Sequence, residues 1–372
     1  MADKSVSTDS LALDDGTPTF KGKKFRIAFI GCGGIAQTHI GALKTMPDVE
    51  IVAGVDINPA RLQGMEEKHG VTKLYKDWKT MLKEVKPDAV SVCTPNGVHA
   101  QPAIDAANAG CHVLVEKPMA MNPAECVKMI EAAKKAKVKL AVGFQYRYHS
   151  KTQFLKRAVD AGQLGDIMFA KCRALRRRGI PNWGVFGQKK LQGGGPMIDI
   201  GVHVIEMAHY VMGSPKPVAA TGNTWTHMGN KPSNVLSQWP NWDHKTYTVE
   251  DLAIGHIRFE NGAILQIEAS FVNHIKQDIW DFQLMGTKGG ASWDAAEIYR
   301  DDAGTMVNTT AGWLPNTDSF DTMFKIKLRN WIDSALTGSE MTAPGEAGLN
   351  VQKILSGVYE SAEKGGKEVP IK

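Results

Sequence analysis

An aspartate and a histidine lie four residues apart in the segment GGGPMIDIGVH, residues 193–203. The glycines and the proline predict a loop that enters a helix, and the spacing places Asp199 and His203 on one face of that helix. A carboxylate one turn from an imidazole orients the ring and raises its affinity for a proton, which suits a general base. Two other interpretations stay open, a buried pair within an apolar helix and a pair of metal ligands. No third ligand follows at comparable spacing, so we expect no metal site.

A lysine follows an apolar run in the tripeptide Glu116-Lys117-Pro118. At the carboxyl end of a strand, its ammonium group can hydrogen-bond a hydroxyl and stabilise the alkoxide that forms as a hydride leaves. The alternative is a surface Lys–Glu pair ahead of a helix. Pro118 allows a cis peptide bond there, which the sequence does not decide.

A glycine turn lies in residues 24–41, KFRIAFIGCGGIAQTHIG. Residues 25–30 predict a buried strand, and a helix pattern begins at Ile35. Gly31 allows the tight turn between the two, and Gly33 lets the backbone approach a pyrophosphate. The new helix then aims its free N–H groups at the phosphates. The stretch predicts a dinucleotide site.

An acidic residue, Asp56, ends the next apolar run, residues 49–55. A carboxylate at this point accepts hydrogen bonds from the adenosine ribose hydroxyls and repels a 2′-phosphate, which favours NAD over NADP. Two observations support other interpretations. Asp56 is also placed to cap the helix that begins at Pro59, which would give it no role at the cofactor. The nearby Arg61 could bind the 2′-phosphate of NADP.

The first part of the chain alternates between strand and helix patterns, which predicts a doubly wound parallel sheet of the Rossmann α/β class over residues 22–145. Ligands bind beyond the carboxyl ends of such strands, so the loops at these ends should line one crevice. The predicted strands beyond residue 56 are 89–93, 112–115 and 139–144, and the predicted helices are 59–68, 77–85, 99–109 and 123–135.

The length and composition narrow the class of protein. A chain of 372 residues is long enough for two domains, and a net charge of +5 indicates neither nucleic acid nor a membrane surface as partner. No apolar run reaches the roughly 18 residues of a membrane span. Residues 1–21 are polar and lack an export signal, so we expect a flexible arm and a cytoplasmic protein.

The cysteines form no C-x-x-C pair, which is typical of buried, reduced thiols. They are Cys32, Cys93, Cys111, Cys126 and Cys172.

The pattern changes beyond Phe144, and residues 146–372 are expected to form a second domain. Strand periodicity over 167–175 runs into Arg176, Arg177 and Arg178, which we interpret as a solvated face or a subunit contact. Residues 251–259 and 263–271 predict a hairpin whose Asn-Gly turn supplies positive φ. Strands are predicted over 279–285 and 291–299, and helices over 152–161, 322–336 and 348–364.

An aromatic segment, residues 223–247, is long for a connection between strands. Trp183 and the tryptophans of this segment are suited to stack on a sugar ring, and in that case the substrate is larger than a free monosaccharide, such as a glycoside. Burial in a subunit contact is the equally open alternative. The aromatic and imidazole residues concerned are Trp225, His227, Trp239, Trp242 and His244.

Together these motifs resemble the Gfo/Idh/MocA oxidoreductases, the family of glucose-fructose oxidoreductase and inositol 2-dehydrogenase. The resemblance runs from about Lys24 to the C-terminus and rests on residues 31–36, Asp56, 94–96, 116–118, Asp199 and His203. It implies an α+β C-terminal domain with a large, mainly antiparallel open sheet, through which subunits pair as homodimers or homotetramers.

The resemblance also implies roles for single residues. His203 takes the hydroxyl proton, Asp199 orients it, and Lys117 polarises the oxygen as a hydride passes to NAD. The residues expected at the cofactor are Gly31, Gly33, Gly34, Ile35, Asp56, Thr94, Asn96, His99, Glu116 and Lys117. Those expected at a small-molecule carbohydrate are Tyr146, Arg147, Trp183, Asp199 and His203.

Three functions follow from this resemblance. The main expectation is an NAD-dependent dehydrogenase of a sugar, polyol or glycoside. The alternative is a redox-neutral enzyme that keeps NAD bound and cleaves or modifies a glycoside through a transient keto-sugar, with Tyr146, His149 or His227 as an extra base. A sugar-sensing regulator is disfavoured because Lys117 and His203 are both present.

Overall fold

The computed structural model describes residues 22–372, so the arm expected over residues 1–21 lies outside the described part. The N-terminal part contains six parallel strands in the order β3-β2-β1-β4-β5-β6. These strands are β1 Phe25–Ile30, β2 Val49–Val55, β3 Leu74–Tyr75, β4 Ala89–Val92, β5 His112–Val115 and β6 Leu140–Val142. The helices between them are α1 Gly34–Leu43, α2 Pro59–His69, α3 Trp78–Val85, α4 Ala100–Asn108 and α5 Pro123–Ala136. The predicted Rossmann fold is confirmed.

Local capping explains where these helices begin. The Asn58 side chain accepts a hydrogen bond from the Ala60 N–H at 3.0 Å, and Asp77 accepts one from the Thr80 N–H at 2.8 Å. Such caps satisfy N–H groups that have no partner within the helix. Asn58, and not Asp56, therefore caps α2, which removes one of the two objections to a ribose-binding role for Asp56.

The C-terminal part contains a nine-stranded sheet in the order β14-β13-β12-β11-β7-β10-β9-β8-β15. Its pairs are antiparallel except for β7 with β10, which confirms the predicted α+β class. The strands are β7 Ile167–Leu175, β8 Pro217–Trp225, β9 Leu252–Phe259, β10 Ile264–Ser270, β11 Ile279–Gly286, β12 Gly289–Ser292, β13 Glu297–Asp302, β14 Thr305–Thr310 and β15 Val369–Pro370. The helices are α6 Ser150–Asp160, α7 Lys189–Gln192, α8 Val202–Val211, α9 Phe320–Thr337 and α10 Gly345–Glu363.

One local prediction in this sheet is wrong in detail. The run 291–299 is two strands, β12 and β13, because a turn separates them at residues 293–296. The predicted β9–β10 hairpin is present, and Gly262 of its Asn-Gly turn has positive φ, at 85°, as expected. Its N–H donates to the Phe259 carbonyl at 3.0 Å, so the connection is a four-residue turn that ends at this left-handed glycine.

The two faces of the large sheet differ. Ala170, Cys172 and Ala174 point to the buried inner face, against which α8 packs. The outer face alternates ion pairs with exposed apolar side chains: Arg173–Asp281, Lys171–Glu268, Ile264 and Met285. This outer face is mixed in character, and subunit pairing through it stays a prediction.

All five cysteines are free and buried, as predicted. No helix in residues 22–372 is long and apolar enough to cross a membrane. Helix α9 packs against α1 of the Rossmann sheet, although it lies far along the chain. That contact brings Lys327 of α9 next to Glu116 in the N-terminal part.

Candidate active site

A cleft of about 800 Å³ lies between the carboxyl ends of the parallel strands and the inner face of the nine-stranded sheet. It brings together most of the residues predicted to bind or react: Gly33, Gly34, Ile35, Thr94, Asn96, His99, Glu116, Lys117, Tyr146, Trp183, Asp199 and His203. Gly31, Asp56 and Arg147 are not among its lining residues. A smaller concavity of about 390 Å³ at the amino ends of β1 and β5 holds none of the predicted residues.

The glycine turn is shaped for a close approach of a ligand. Gly31 has φ 89°, and a Cβ on it would lie 2.6 Å from the Cys93 carbonyl carbon, so no other residue fits. Helix α1 begins just beyond, and no side chain of residues 22–372 caps its first N–H groups. A Cβ built on Gly34 would meet nothing within 4 Å. An open, uncapped helix start fits the pyrophosphate of a dinucleotide.

Asp56 lies directly behind this turn. Its two carboxylate oxygens accept hydrogen bonds from the Cys32 N–H at 2.9 Å and the Asn58 N–H at 2.8 Å. Oδ1 keeps a free lone pair for a further donor, whereas Oδ2 also accepts from Arg61 Nη1 at 3.5 Å. The Arg61 guanidinium is 3.5 Å away, and its side chain is half exposed. Asp56 is thus fixed beside the expected adenosine end but outside the cleft.

Two of the catalytic candidates, Lys117 and Asp199, are in direct contact. Lys117 Nζ donates to the Asp199 carbonyl at 2.7 Å and lies 3.2 Å from Asp199 Oδ1. Lys117 follows β5, and its peptide bond to Pro118 is cis. A lysine in the cleft, neutralised by a carboxylate from another element, is not the surface Lys–Glu pair of the alternative interpretation.

The expected contact between Asp199 and His203 is wrong. Residues Met197–Gly201 form a π-helical turn ahead of α8, so the regular α-helical spacing that was assumed between the two side chains does not apply. The Asp199 carboxylate pairs with Lys117, while His203 Nδ1 has no hydrogen-bond partner among the described residues.

The environment of His203 keeps its imidazole neutral. Burial lowers the pKa of His203 well below its usual value, and the Lys117 ammonium lowers this pKa further. The ring packs between Tyr146 and Trp280, with centroids 5.0 and 5.9 Å away. A neutral imidazole at neutral pH can accept a proton, although the raised proton affinity expected from Asp199 is absent.

Glu116 has an unexpected position in the site. Its carboxylate lies 2.7 Å from Lys327 Nζ on α9 and 2.9 Å from His39 Nε2 on α1, and it accepts a hydrogen bond from the Lys117 N–H at 3.3 Å. Burial alone would raise the pKa of Glu116, but Lys327 and His39 hold this pKa well below its usual range. Glu116 therefore fixes the backbone that carries Lys117.

The loop after β4 shapes the wall of the cleft. The Thr94 hydroxyl donates to the Val98 carbonyl, Asn96 Nδ2 donates to the Gln192 carbonyl at 2.8 Å, and His99 lies between two carbonyl oxygens. Because these side chains are already bonded to backbone, they position the wall, and contact of a cofactor with them stays a prediction.

Comparison with known proteins settles the family. The family model described as oxidoreductase family, NAD-binding Rossmann fold, matches residues 25–144, and the GFO/IDH/MocA C-terminal domain matches residues 152–292. The chain belongs to the Gfo/Idh/MocA oxidoreductases. The predicted family and the predicted enzyme class, an oxidoreductase with an NAD-binding domain, are confirmed.

Relatives and solved structures agree with this family. The chain is 38% identical over 342 residues to D-glucoside 3-dehydrogenase of Escherichia coli (strain K12), covering 91% of this chain and 96% of that protein. It is 36% identical over 188 residues to myo-inositol 2-dehydrogenase of Thermotoga maritima (strain ATCC 43589 / DSM 3109 / JCM 10099 / NBRC 100826 / MSB8), covering 50% and 55%. The structure of levoglucosan dehydrogenase in complex with NADH has a TM-score of 0.81 at 23% identity, covering 94% and 100%, and shows the shared fold.

Arg147 is not available to a substrate in this Gfo/Idh/MocA member, contrary to the prediction. Its side chain is buried, Nε donates to Glu206 Oε2 at 2.8 Å, and Nη1 donates to the Thr342 carbonyl at 2.7 Å. Its guanidinium also stacks near the Tyr210 ring. Arg147 therefore neutralises a buried glutamate on α8.

Several cleft residues of this family member were not predicted: Gln145, Arg176, Phe186, Gln192, Trp280 and Phe320. The run 176–178 is predicted to be a solvated face or a subunit contact, but only Arg177 of that run is exposed. Residue 176 continues the alternation of Cys172 and Ala174, so it points inward. This parity was a usable signal in the sequence.

The aromatic segment contacts the cleft wall through Trp239, which packs against Trp183. Trp183 lines the cleft and is 49% exposed, and the Trp239 ring meets it edge-on at 4.8 Å. Trp242 instead donates to the Gly229 carbonyl at 2.7 Å and packs against the core. Only Trp183 of these aromatic residues lies in the cleft wall.

Proposed function

We propose that this oxidoreductase is an NAD-dependent dehydrogenase that converts a ring CH–OH of a sugar, polyol or glycoside to a ketone. The proposal is carried by one observation: Lys117 Nζ, paired with Asp199 at 3.2 Å, shares a cleft with His203 and with the uncapped start of α1. This cleft thus offers a charge for a developing alkoxide beside a proton acceptor and an anion site.

Each catalytic side chain has one task in this reaction. Lys117 donates a hydrogen bond to the substrate oxygen and stabilises its negative charge, and Asp199 holds the lysine in place. Neutral His203 accepts the hydroxyl proton and passes it to solvent. NAD, when bound, supplies the acceptor for the hydride from the carbinol carbon.

We propose NAD over NADP because Asp56 is the acidic group nearest to the expected adenosine ribose. The free lone pair of its Oδ1 can accept from a ribose hydroxyl, and its charge disfavours a 2′-phosphate. Arg61 compensates part of this charge at 3.5 Å, although its half-exposed side chain is screened by solvent.

We propose glycosides as the preferred substrates. Trp183 presents an indole to the cleft, and Trp239 and Phe186 hold that indole at its edges, at 4.8 and 5.8 Å. A fixed, half-exposed aromatic face suits the apolar face of a second sugar ring or an aglycone. The name of the E. coli relative, D-glucoside 3-dehydrogenase, points to oxidation at C3.

The positions of the candidate extra bases favour a dehydrogenase over the redox-neutral alternative. Of the three, Tyr146 lines the cleft, whereas His149 and His227 do not. Burial raises the pKa of Tyr146, so its phenol stays protonated at neutral pH. A second base, needed to remove a C–H proton next to the ketone, is therefore lacking among the candidates.

We further propose that subunits pair through the outer face of the nine-stranded sheet, where Ile264 and Met285 are 39% and 44% exposed. The free, buried thiols support a reducing, cytoplasmic location.

The test mixes purified protein with NAD or NADP and a panel of sugars, inositols and glycosides, and follows reduced nicotinamide. We expect reduced nicotinamide to form fastest with NAD and a glycoside. The variants Lys117→Ala and His203→Ala should form none. Lys128→Ala removes an exposed lysine on α5, and this matched control should form reduced nicotinamide at the wild-type rate. A glycoside that is consumed with no accumulation of reduced cofactor would instead support the redox-neutral enzyme.

A further inference from the structure

Three residues that line the cleft each carry a buried polar atom with no hydrogen-bond partner among the described residues: Gln145 Oε1, His203 Nδ1 and Trp280 Nε1. Buried polar groups are almost always hydrogen-bonded, because an unpaired one loses its interactions with water. His203 is already assigned to proton transfer. The other two atoms, a donor and an acceptor, have no role in the mechanism above.

Trp280 is held rigidly beside the proposed base. It lies on β11 opposite Ala174 of β7, on the inner face of the sheet. Its indole packs against Tyr146 and His203, with centroids 5.4 and 5.9 Å away. The indole N–H can only donate, so it needs an acceptor from a ligand.

Gln145 approaches the same part of the cleft from the Rossmann sheet. It begins the short helical turn Gln145–Tyr148 after β6, next to Tyr146, and its side chain is 4% exposed. Its amide oxygen can only accept. A sugar hydroxyl both donates and accepts, so the hydroxyls of a sugar ring can satisfy both unpaired atoms.

We propose that Trp280 and Gln145 recognise the ring hydroxyls that flank the oxidised carbon, with Trp280 Nε1–H as donor and Gln145 Oε1 as acceptor. The inference rests on the proposed function and names residues that determine its substrate specificity. A substrate without such a hydroxyl leaves a buried polar atom unpaired, which is a strong basis for rejection.

The test combines substitutions with deoxy substrates. The ligand is the panel glycoside with the highest kcat/KM, or methyl glucoside if none reacts, and its analogues lack either flanking hydroxyl. Trp280→Phe keeps an aromatic ring against Tyr146 and His203 and removes only the donor. Gln145→Met removes the acceptor at similar length. Both kcat/KM and the dissociation constant for the protein loaded with reduced cofactor are measured.

We expect Trp280→Phe to lower kcat/KM and affinity for the full glycoside by roughly tenfold to a hundredfold. For one deoxy analogue it should cause no further loss, because the hydrogen bond is already missing. Trp331→Phe is the matched control, since its Nε1 is also unpartnered but lies outside the cleft. That variant should behave as wild type.

An equal loss for every ligand would overturn the inference, since it indicates a role in packing alone. If Trp280→Phe does not fold, the same comparison of the full glycoside with its deoxy analogues is made with Gln145→Met, and its result decides whether the inference holds. Binding without turnover would refute the proposed function and leave the recognition test intact, whereas no binding of any sugar to wild type would overturn both.

Discussion

Replacement of Lys327 by methionine tests how α9 supports the active site. The Lys327 side chain is 1% exposed, and its Nζ lies 2.7 Å from Glu116 Oε1 and 3.1 Å from His39 Nε2. Methionine keeps the aliphatic volume but leaves the Glu116 carboxylate buried without its cation. Because Glu116 also accepts from the Lys117 N–H, the change should reach the catalytic lysine.

The expected loss of stability is large for a single substitution. Breaking a buried ion pair from one side costs about 3–5 kcal/mol, because an uncompensated charge remains. A chain of 372 residues unfolds with an entropy of about 0.8 kcal/mol/K, at roughly 2.1 cal/mol/K per residue, so Tm should fall by roughly 4–6 °C. Adding Glu116→Gln removes the stranded charge and should recover a large part of the loss.

The loss should also depend on pH in a defined direction. In wild type the pKa of Glu116 is held below its usual value of 4.5, so its stabilising contribution is present above that pH and is lost as the pH falls. Without Lys327, burial raises this pKa, and the carboxyl is then destabilising until it is protonated. The difference in unfolding free energy between wild type and Lys327→Met should therefore narrow as the pH falls from neutrality toward 4.5 and below it.

Denaturant unfolding at pH 7 and at low pH, with kcat measured alongside, checks this reasoning. A loss below about 1 kcal/mol for Lys327→Met, or no recovery in the double variant, would refute the role given to the buried pair.

Three further predictions follow from the site. Protonated His203 cannot accept a proton, and its pKa is lowered. The fall of kcat/KM on the acidic side of its pH profile should therefore lie below pH 6.5. A fall that begins above this pH would contradict a neutral His203. Trp183→Ala should lower kcat/KM for glycosides about tenfold more than for free sugars, a loss of stacking, and equal losses would show that Trp183 contacts no second ring. Asp56→Ser should shift the ratio of kcat/KM for NAD over NADP toward NADP by about tenfold or more, and an unchanged ratio would mean that Asp56 does not meet the ribose.

Much of the fold was predictable because its signals are local. The helix starts at Asn58 and Asp77 use side chains within three residues, and the turn at Gly31 follows from its own backbone conformation. The division of residues 291–299 into two strands was missed because apolar alternation continues on both sides of the short turn.

The site was predicted in part of its members but not in its contacts. The family resemblance implied that Lys117, Asp199 and His203 share one site, and all three line the cleft. A regular helix was assumed, however, where the backbone forms a π turn. The Glu116–Lys327 pair joins residues 211 positions apart, and no spacing rule reports such a contact. Arg147 looked like a ligand for the substrate because its partner, Glu206, lies on a separate helix.

In the proposed reaction a carbon-bound hydrogen leaves the sugar ring while His203 takes the hydroxyl proton and Lys117 stabilises the oxygen. A glycoside carrying deuterium on the oxidised carbon tests this reaction, with mass analysis of the reduced nicotinamide and of the sugar product. We expect deuterium in the nicotinamide, a keto-sugar without it, and no labelled cofactor with Lys117→Ala or His203→Ala. Unlabelled reduced nicotinamide, or full transfer of deuterium by both variants, would contradict it.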